Sequence, residues 1–271
     1  MPFPDIDPVA VRIGPLSLHW YGLAYVAAFA IAGLLFRHLV RRWNVGLSDD
    51  DVMEVVVFSI AGVLIGARLG YVVVYGGGQY WRDPLSVLEV WDGGMSFHGG
   101  LVGIVAAGLL VARRLKVPFL RMADAAAVGA PVGFFLGRIA NFVNAELWGR
   151  PTDLPWAVVF PGAGPRPRHP SQLYEALLEG AVIFVVLWSL SRRERPRGTL
   201  LGWLLVMYGA FRFAVEFVRE PDPHLGLVLG PFTTGQILSV PMLLAGVALL
   251  VWVRRGSSQG PSSTAHGGRG T

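Results

Sequence analysis

Hydrophobic residues in this chain of 271 residues form long blocks instead of the short periodic stripes of a soluble protein. Three stretches, residues 13–36, 93–112 and 223–253, contain no Lys, Arg, Asp or Glu. A run of about 18 or more such residues is long enough to cross the hydrocarbon core of a bilayer as a helix. The whole pattern predicts an all-α integral membrane protein with seven transmembrane helices. The predicted spans are residues 18–40, 52–75, 96–115, 122–146, 171–191, 199–218 and 235–253.

Basic residues give these spans a direction. They form four clusters, which are Arg37, Arg41 and Arg42; Arg113, Arg114 and Lys116; Arg192, Arg193, Arg195 and Arg197; and Arg254 and Arg255. Each cluster follows an odd-numbered span, so all four lie on the same side of the membrane. Because basic loops stay in the cytoplasm, the N-terminus is predicted outside and the C-terminus inside. Six or eight spans would break this agreement.

Composition supports the membrane assignment and excludes several kinds of chemistry. Charged residues make up 15% of the chain, against about 25% in soluble domains. The net charge of +5 is therefore expected to set topology and not to bind nucleic acid. Without cysteine there is no disulfide, thiolate nucleophile or cysteine metal site. We expect no cofactor and no metal, because His98 and His169 lie on different elements without an HExxH-type cluster.

The chain divides into two parts of very different composition. Residues 1–255 are predicted to form one seven-span transmembrane catalytic domain. The first span is expected to direct insertion itself, because no cleavable signal pattern precedes it. Residues 256–271 consist mainly of Gly, Ser and Pro and have little to bury. They are predicted to be a disordered cytoplasmic tail.

Polar residues within the spans gather in the half nearer the outside. They are His19 and Tyr21 in span one, Arg68 in span two, His98 in span three, Arg138, Asn141 and Glu146 in span four, His169, Gln172 and Glu175 at span five, and Tyr208, Arg212, Glu216 and Arg219 in span six. An arginine at the centre of an inserted helix costs about 2.5–3.5 kcal/mol, so such residues usually pair and face a cavity. The asymmetry predicts a polar cavity that opens towards the outer leaflet.

Two helices are expected to aim arginines into this cavity. Arg212, Glu216 and Arg219 share one stripe of span six with Tyr208, so Glu216 can neutralise either arginine. Arg138 and Asn141 share a face of span four. A guanidinium is a planar fork that binds phosphate oxygens in pairs. At outer-leaflet depth, the most available phosphate belongs to a phospholipid headgroup.

Simpler interpretations stand beside this one. Arg212 and Glu216 can be a structural ion pair, and His98 can be an interfacial polar cap. The glycines of residues 95–103 can serve close helix packing alone. Four further arginines can extend to the membrane interface, and these are Arg68, Arg150, Arg166 and Arg168. The joint placement of the polar residues favours a functional site over these alternatives.

Four segments resemble one known family in order and spacing. They are "MSFHGGLVG", "GRIANFVNAELWGRPTDLPWAVVFP", "RHPSQLYEALLEG" and "YGAFRFAVEFVREPD", and the resemblance to the prolipoprotein diacylglyceryl transferases runs from about Leu18 to Trp252. It implies a seven-span enzyme of the bacterial inner (plasma) membrane, with its active site towards the outer leaflet. It also implies transfer of the sn-1,2-diacylglyceryl group of phosphatidylglycerol to the lipobox cysteine of preprolipoproteins, which releases glycerol-1-phosphate. Phosphatidylglycerol, the lipobox signal peptide and membrane lipid are thus the expected partners.

The resemblance also implies site residues. Its motif positions fall on His98, Arg138, Asn141, Gly149 and Arg212, and Tyr21, Glu146, Tyr208 and Glu216 are similar to further important positions. The expected catalytic residues are His98, Arg138, Arg212 and Glu216. The expected phosphatidylglycerol-binding residues are Tyr21, Arg138, Asn141, Glu146, Gly149, His169, Tyr208 and Arg212.

In the mechanism expected from these residues, Arg138 and Arg212 stabilise the departing phosphate, and Glu216 orients Arg212. His98 either accepts the thiol proton or hydrogen-bonds the lipid phosphate. Two other function classes fit the sequence less well. A transporter or flippase for an anionic lipid needs access from both faces, whereas the polar residues lie on one side. An intramembrane serine protease would need a GxSG-type motif, which the sequence lacks.

Overall fold

The protein is mostly helical, as the hydrophobic pattern predicts. A computed structural model describes residues 1–76, 78, 80, 83–89, 93–221 and 227–258. Its long helices are α1 (Trp20–Arg42), α2 (Asp49–Tyr75), α3 (Phe97–Arg114), α4 (Phe119–Val143), α5 (Ser171–Ser191), α6 (Thr199–Val215) and α7 (Thr234–Ser258). A short 3₁₀ helix, Pro84–Leu88, lies between α2 and α3.

Six of these helices are long and apolar enough to cross a membrane, and α6 is the shorter apolar one. Its 17 residues span about 25 Å at ~1.5 Å per residue, less than the roughly 30 Å of a hydrocarbon core. The chain continues from α6 as a turn at residues 216–218. Residues 199–215 of the predicted span 199–218 are thus helical, and residues 216–218 form a turn that carries the charged residue Glu216.

Two short antiparallel hairpins add to the predicted helices. Strands β1 (Val9–Ile13) and β2 (Leu16–His19) pair immediately before α1. Strands β3 (Leu227–Leu229) and β4 (Phe232–Thr233) pair immediately before α7. Both hairpins satisfy backbone hydrogen bonds of segments that lie outside the helices.

Helix α7 extends into the first residues of the predicted C-terminal tail. Helix α7 ends at Ser258, and helix ends are defined only to within one or two residues. The disordered tail of residues 256–271 therefore stays a prediction. Residues 259–271 lie outside the described part of the chain.

Glycines fuse α2 and α3 into a closely packed pair. A Cβ placed on Gly66 would lie 2.7 Å from the Cα of Gly103, and one placed on Gly70 would lie 2.6 Å from the Cα of Gly99. The two backbones therefore touch, as small residues permit in membrane helices. Gly99 of the "MSFHGGLVG" segment thus serves helix packing, which is the simpler of the two interpretations of these glycines.

Asp124 fixes α6 against α4. Its carboxylate is buried and accepts hydrogen bonds from the backbone N–H groups of Gly198, at 2.7 Å, and Leu201, at 2.9 Å. These groups belong to the first turn of α6, where backbone donors lack partners within the helix. A side chain from a different helix therefore caps α6, and this contact fixes the start of α6 relative to α4.

Helix α5 changes its winding in the middle. Its first turn, Ser171–Glu175, is α-helical, Ala176–Val182 is a π-helix, and Ile183–Ser191 is α-helical again. Gly180 allows this widened segment to approach α4, because a Cβ there would lie 2.8 Å from the Cα of Phe135. π-helical turns are rare and are frequent at functional sites. Here the widened turn begins directly after Glu175 and contains Glu179.

Candidate active site

A cluster of buried charges connects α4, α5 and the end of α6. Glu175 is at its centre, with a side chain that is 0% exposed. Its Oε1 lies 2.5 Å from Nη1 of Arg212 and 3.2 Å from Nη1 of Arg219. Its Oε2 lies 2.6 Å from Nε of Arg138, an ion pair in which the N–H is not aligned on the oxygen. One carboxylate thus holds guanidinium groups from two helices and from the segment that follows α6.

Glu216 is the second carboxylate of the cluster. It accepts a hydrogen bond from Nη2 of Arg212 and lies 3.7 Å from Nε of Arg219. The hydroxyl of Thr233, in β4, donates to its other oxygen at 2.5 Å. Gly235 leaves room for it, because a Cβ there would lie 2.6 Å from the carboxyl carbon of Glu216. The helical spacing predicted that Glu216 pairs with either arginine, and the structure confirms contacts with both.

Glu179 is the third carboxylate, and it differs from the other two. Its side chain is 1% exposed, and Nη2 of Arg138, at 3.9 Å, is its one ion-pair contact within the described chain. Neither of its oxygens has a hydrogen-bond partner among the described residues. The cluster thus contains two carboxylates in close ion pairs and one that is nearly isolated.

Asn141 connects Arg138 to a tight turn. Arg138 donates from Nη1 to Oδ1 of Asn141 at 3.4 Å, and Nδ2 of Asn141 donates to Glu146 at 2.8 Å. Ala145 and Leu147, on either side of Glu146, have φ of 53° and 59°. Backbone strain of this kind persists where surrounding contacts enforce it and is concentrated at functional sites. Within the stretch 137–150, Arg138, Asn141 and Glu146 therefore form one connected network.

A cavity of about 760 Å³ lies beside this turn. Its walls include His19 and Tyr21 from the start of α1, and Asn144 and Glu146 from the turn. The hydroxyl groups of Tyr21 and Tyr25 lie 3.5 Å apart. The side chains of Arg138 and Arg212 are 19% and 15% exposed, so neither guanidinium is sealed off. Through Asn141 and Glu146, the charge cluster is connected to the wall of an open cavity.

Gly149 lies where three segments cross. Its N–H donates to the carbonyl of His169 at 2.9 Å, and a Cβ there would lie 2.6 Å from both the Cβ of His169 and the carbonyl oxygen of Val218. The carbonyl of Val218 accepts from the N–H of Arg150 at 2.8 Å. Only a glycine allows this approach. Gly149 therefore fixes the segment next to Arg219.

His169 and Tyr208 are placed by aromatic neighbours. Nδ1 of His169 lies 3.3 Å from the hydroxyl of Tyr174, which accepts a hydrogen bond from Trp156 at 2.6 Å. Partial burial lowers the pKa of His169, which favours the neutral imidazole. The ring of Tyr208 packs on Phe134 with centroids 4.8 Å apart, in electrostatic range of the charge cluster. His169 therefore belongs to the outer loop, whereas Tyr208 lines the cluster.

His98 is the predicted site residue that the structure leaves apart. It lies in the first turn of α3 and is exposed. Its ring packs edge-to-face with the ring of Phe97, with the ring centroids 5.6 Å apart. Within the described chain, no hydrogen bond or ion pair connects His98 with Arg138 or Arg212. The cluster therefore forms without His98, and a role for this residue depends on what enters the site.

Three of the four arginines predicted to extend to the interface are held by the protein. Arg68 is 6% exposed and donates to the carbonyls of Ser86, Val87, Gly93 and Gly94. Arg168 contacts the carbonyl of Gly149 and the carboxylate of Glu220, and Arg150 donates to the carbonyl of Arg219. The snorkelling interpretation is wrong for these three, because loop carbonyls without partners in a helix compete for the guanidinium donors. Arg166 is exposed.

The predicted site residues did not include Glu175, Glu179 or Arg219. A signal existed, because Gln172, Glu175 and Glu179 are three and four residues apart and share a helix face. Two carboxylates within an apolar span are costly unless they are paired.

Known proteins are similar to this chain over nearly all of its length. A family model described as prolipoprotein diacylglyceryl transferase matches residues 8–252. Curated relatives named phosphatidylglycerol–prolipoprotein diacylglyceryl transferase include one from Geobacter sulfurreducens, 52% identical, which covers 94% of this chain and 98% of its own. Another from Bordetella avium is 51% identical, with 96% and 99% covered. A third from Nitratidesulfovibrio vulgaris is 50% identical, with 96% and 98% covered.

Proposed function

This chain belongs to the prolipoprotein diacylglyceryl transferase family, and we propose that its charge cluster is the active site that moves the diacylglyceryl group from phosphatidylglycerol to a prolipoprotein. One observation carries the assignment of the site. Guanidinium groups from α4 and α6 converge on one carboxylate, and both remain partly exposed. A headgroup phosphate has the same charge sign as that carboxylate and more acceptor atoms.

The arginines keep donors for a phosphate. A guanidinium has five N–H donors. Arg138 forms an ion pair with Glu175 through Nε without an aligned hydrogen bond, and it donates one hydrogen of Nη1 to Asn141. Arg212 uses one hydrogen of each terminal nitrogen for Glu175 and Glu216. The phosphate can therefore bind beside Glu175 or take its place. Charge that develops on the departing phosphate is stabilised by guanidinium groups that are already oriented.

The reaction is a direct displacement. The lipobox thiol attacks the glycerol carbon of phosphatidylglycerol, the bond from this carbon to the phosphate oxygen breaks, and a thioether and glycerol-1-phosphate result. No cysteinyl-enzyme intermediate can form, because the chain has no cysteine. His98 remains our candidate for the group that accepts the thiol proton. Its exposed ring is accessible to an incoming thiol.

The remaining site residues orient the arginines or form the wall of the headgroup site. Glu216 orients Arg212, and Asn141 and Glu146 orient Arg138. Tyr21 and Tyr208 offer hydroxyl groups to the headgroup or its glycerol. Gly149 and His169 act through the backbone that carries Arg219.

We place the protein in the bacterial inner membrane with seven spans, counting α6, and with the N-terminus outside. Basic residues at the ends of α1, α3 and α7 support this orientation. The charge cluster then lies towards the outer leaflet. Reporter fusions after residues 116 and 197 should report cytoplasm, and an outside location at either position would refute the placement.

A reconstituted assay tests the function. The purified protein is incubated in nanodiscs with a lipobox peptide and phosphatidylglycerol labelled either in its acyl chains or in its headgroup. The acyl label should move to the peptide, and the headgroup label should leave as glycerol phosphate. Movement of labelled lipid between leaflets of proteoliposomes, without labelled peptide, would instead favour the transporter or flippase.

A further inference from the structure

Glu179 is a buried acid for which the described structure shows no function. Its side chain is 1% exposed, and its oxygens lack hydrogen-bond donors among the described residues. An ionised carboxylate without donors is very costly to bury, and the cost is far smaller when the group is neutral. By contrast, Glu175 and Glu216 each contact guanidinium nitrogens at close range.

The charges of the cluster agree with a neutral Glu179. Three guanidinium groups, from Arg138, Arg212 and Arg219, face the two closely paired carboxylates. Among these described groups, guanidinium groups outnumber ionised carboxylates when Glu179 is neutral, and this favours binding of the negative charge of a phosphodiester headgroup.

We propose that Glu179 holds a proton in the resting enzyme and donates it to the phosphate oxygen that leaves the diacylglyceryl group. The proposal rests on the function proposed above and adds a general acid to it. An oxygen bound to Nη2 of Arg138 would lie about 2.8 Å from that nitrogen. Oε2 of Glu179 lies 3.9 Å from the same nitrogen. The proton donor, Glu179, and the accepting phosphate oxygen would thus both lie next to Nη2 of Arg138.

The atoms balance in this step. The thiol sulfur forms a bond to the glycerol carbon, and the electron pair of the broken carbon–oxygen bond stays on the phosphate oxygen. The proton of Glu179 neutralises that oxygen, so that glycerol phosphate leaves as a monoanion. The thiol proton goes to the base or to solvent, and one proton returns to Glu179 before the next turnover.

Other acids in the cluster are less suited to this role. Glu175 and Glu216 already contact guanidinium nitrogens at close range, so their oxygens are occupied by these ion pairs. The titratable and charged groups in electrostatic range of Glu179 come from α4, α5, α6 and the turn after it, and are Arg138, Glu175, Tyr208, Arg212 and Arg219. Glu179 is the only carboxyl group of the described cluster that has no hydrogen-bond partner.

Infrared spectroscopy and kinetics of Glu179→Gln test the proposal together. The resting wild-type protein should show a carboxylic C=O stretch that shifts in D₂O and is absent from Glu179→Gln. Glu194→Gln is the matched control, because Glu194 is 64% exposed beside Arg121 and is outside the site. It should leave both the band and the transfer rate unchanged.

The kinetic prediction is a loss of turnover without a loss of lipid binding. Glu179→Gln keeps the size and neutrality of the protonated acid, so it should fold like the wild type. Its kcat should fall by about 10²–10⁴-fold, the usual contribution of general acid catalysis, with KM for phosphatidylglycerol within about twofold. The wild-type rate should also decline at high pH as the acid loses its proton, and this decline should be missing in the variant.

Each other outcome refutes the proposal. Wild-type kcat in Glu179→Gln would exclude proton donation, and an absent carboxylic band would exclude the protonated resting state. Failure of Glu179→Gln to fold would show that the ionised form is required. If the wild type itself transfers nothing to the peptide, the proposed function fails instead, and the infrared band still reports on Glu179 alone.

Discussion

Replacement of Glu175 by glutamine tests the central contact of the charge cluster. The carboxylate lies 2.5–3.2 Å from nitrogens of Arg138, Arg212 and Arg219, and it is 0% exposed. Glutamine keeps one acceptor oxygen but directs an NH₂ group at one of the guanidinium groups. Among the described residues, Glu216 would then be the one carboxylate left in close contact with this group of arginines.

The expected loss of stability is large. Removal of one partner from a buried ion pair costs about 3–5 kcal/mol, because the other charge stays buried and uncompensated. An exposed pair contributes roughly 0–1 kcal/mol. The pair of Glu194 and Arg121, in which Glu194 is 64% exposed, belongs to the second class. Glu175→Gln should therefore lower the free energy of unfolding several times more than Glu194→Gln.

Stability and activity are measured on the same preparations. Unfolding in detergent is followed by tryptophan fluorescence, and transfer is followed with labelled phosphatidylglycerol and a lipobox peptide. Added phosphatidylglycerol should stabilise Glu175→Gln more than the wild type, because its phosphate can compensate the exposed guanidinium groups. A variant within about 1 kcal/mol of the wild type would refute the estimate from burial. Equal stabilisation of both proteins by the lipid would refute the phosphate-binding role of this cluster.

Three other predictions concern single side chains. Arg138→Lys and Arg212→Lys should remain inserted but retain little transfer activity, because a point charge does not reproduce the guanidinium fork; near-normal rates in both would exclude bidentate phosphate binding. His98→Gln should cut kcat by about 10²–10⁴-fold if His98 is the base, with partial recovery at high pH, whereas weakened lipid binding with good turnover would indicate phosphate contact. Asp124→Asn replaces the acceptor for two backbone N–H groups of α6 and should cost about 1–3 kcal/mol of stability; an unchanged unfolding midpoint would exclude a role for this cap.

The spans were predictable because the hydrocarbon core imposes their length and composition. The pairing of Glu216 with Arg212 and Arg219 was also predictable, because residues three and four positions apart lie on the same face of a helix. Both depend on local geometry, which the chain order specifies directly.

The partners of Arg138 and Arg68 were not predictable in the same way. Glu175 reaches Arg138 because α5 packs on α4 and its turn widens from Ala176, and periodicity carries no information on either. Arg68 is held by four carbonyls of a loop some twenty residues away. Every residue type carries a backbone carbonyl, so no sequence pattern shows which carbonyls will accept hydrogen bonds from Arg68.

The glycine contacts between α2 and α3 also limit how the enzyme can move. Gly70 meets Gly99 backbone to backbone, and His98 is the residue before Gly99. Such an interface has no side chains that can rearrange to let one helix slide past the other, so α2 and α3 should move as one rigid body. His98 therefore cannot swing towards Arg138 by a shift of α3 alone. Either the signal peptide places its thiol between His98 and Arg138, or α2 and α3 tilt together when the substrates bind.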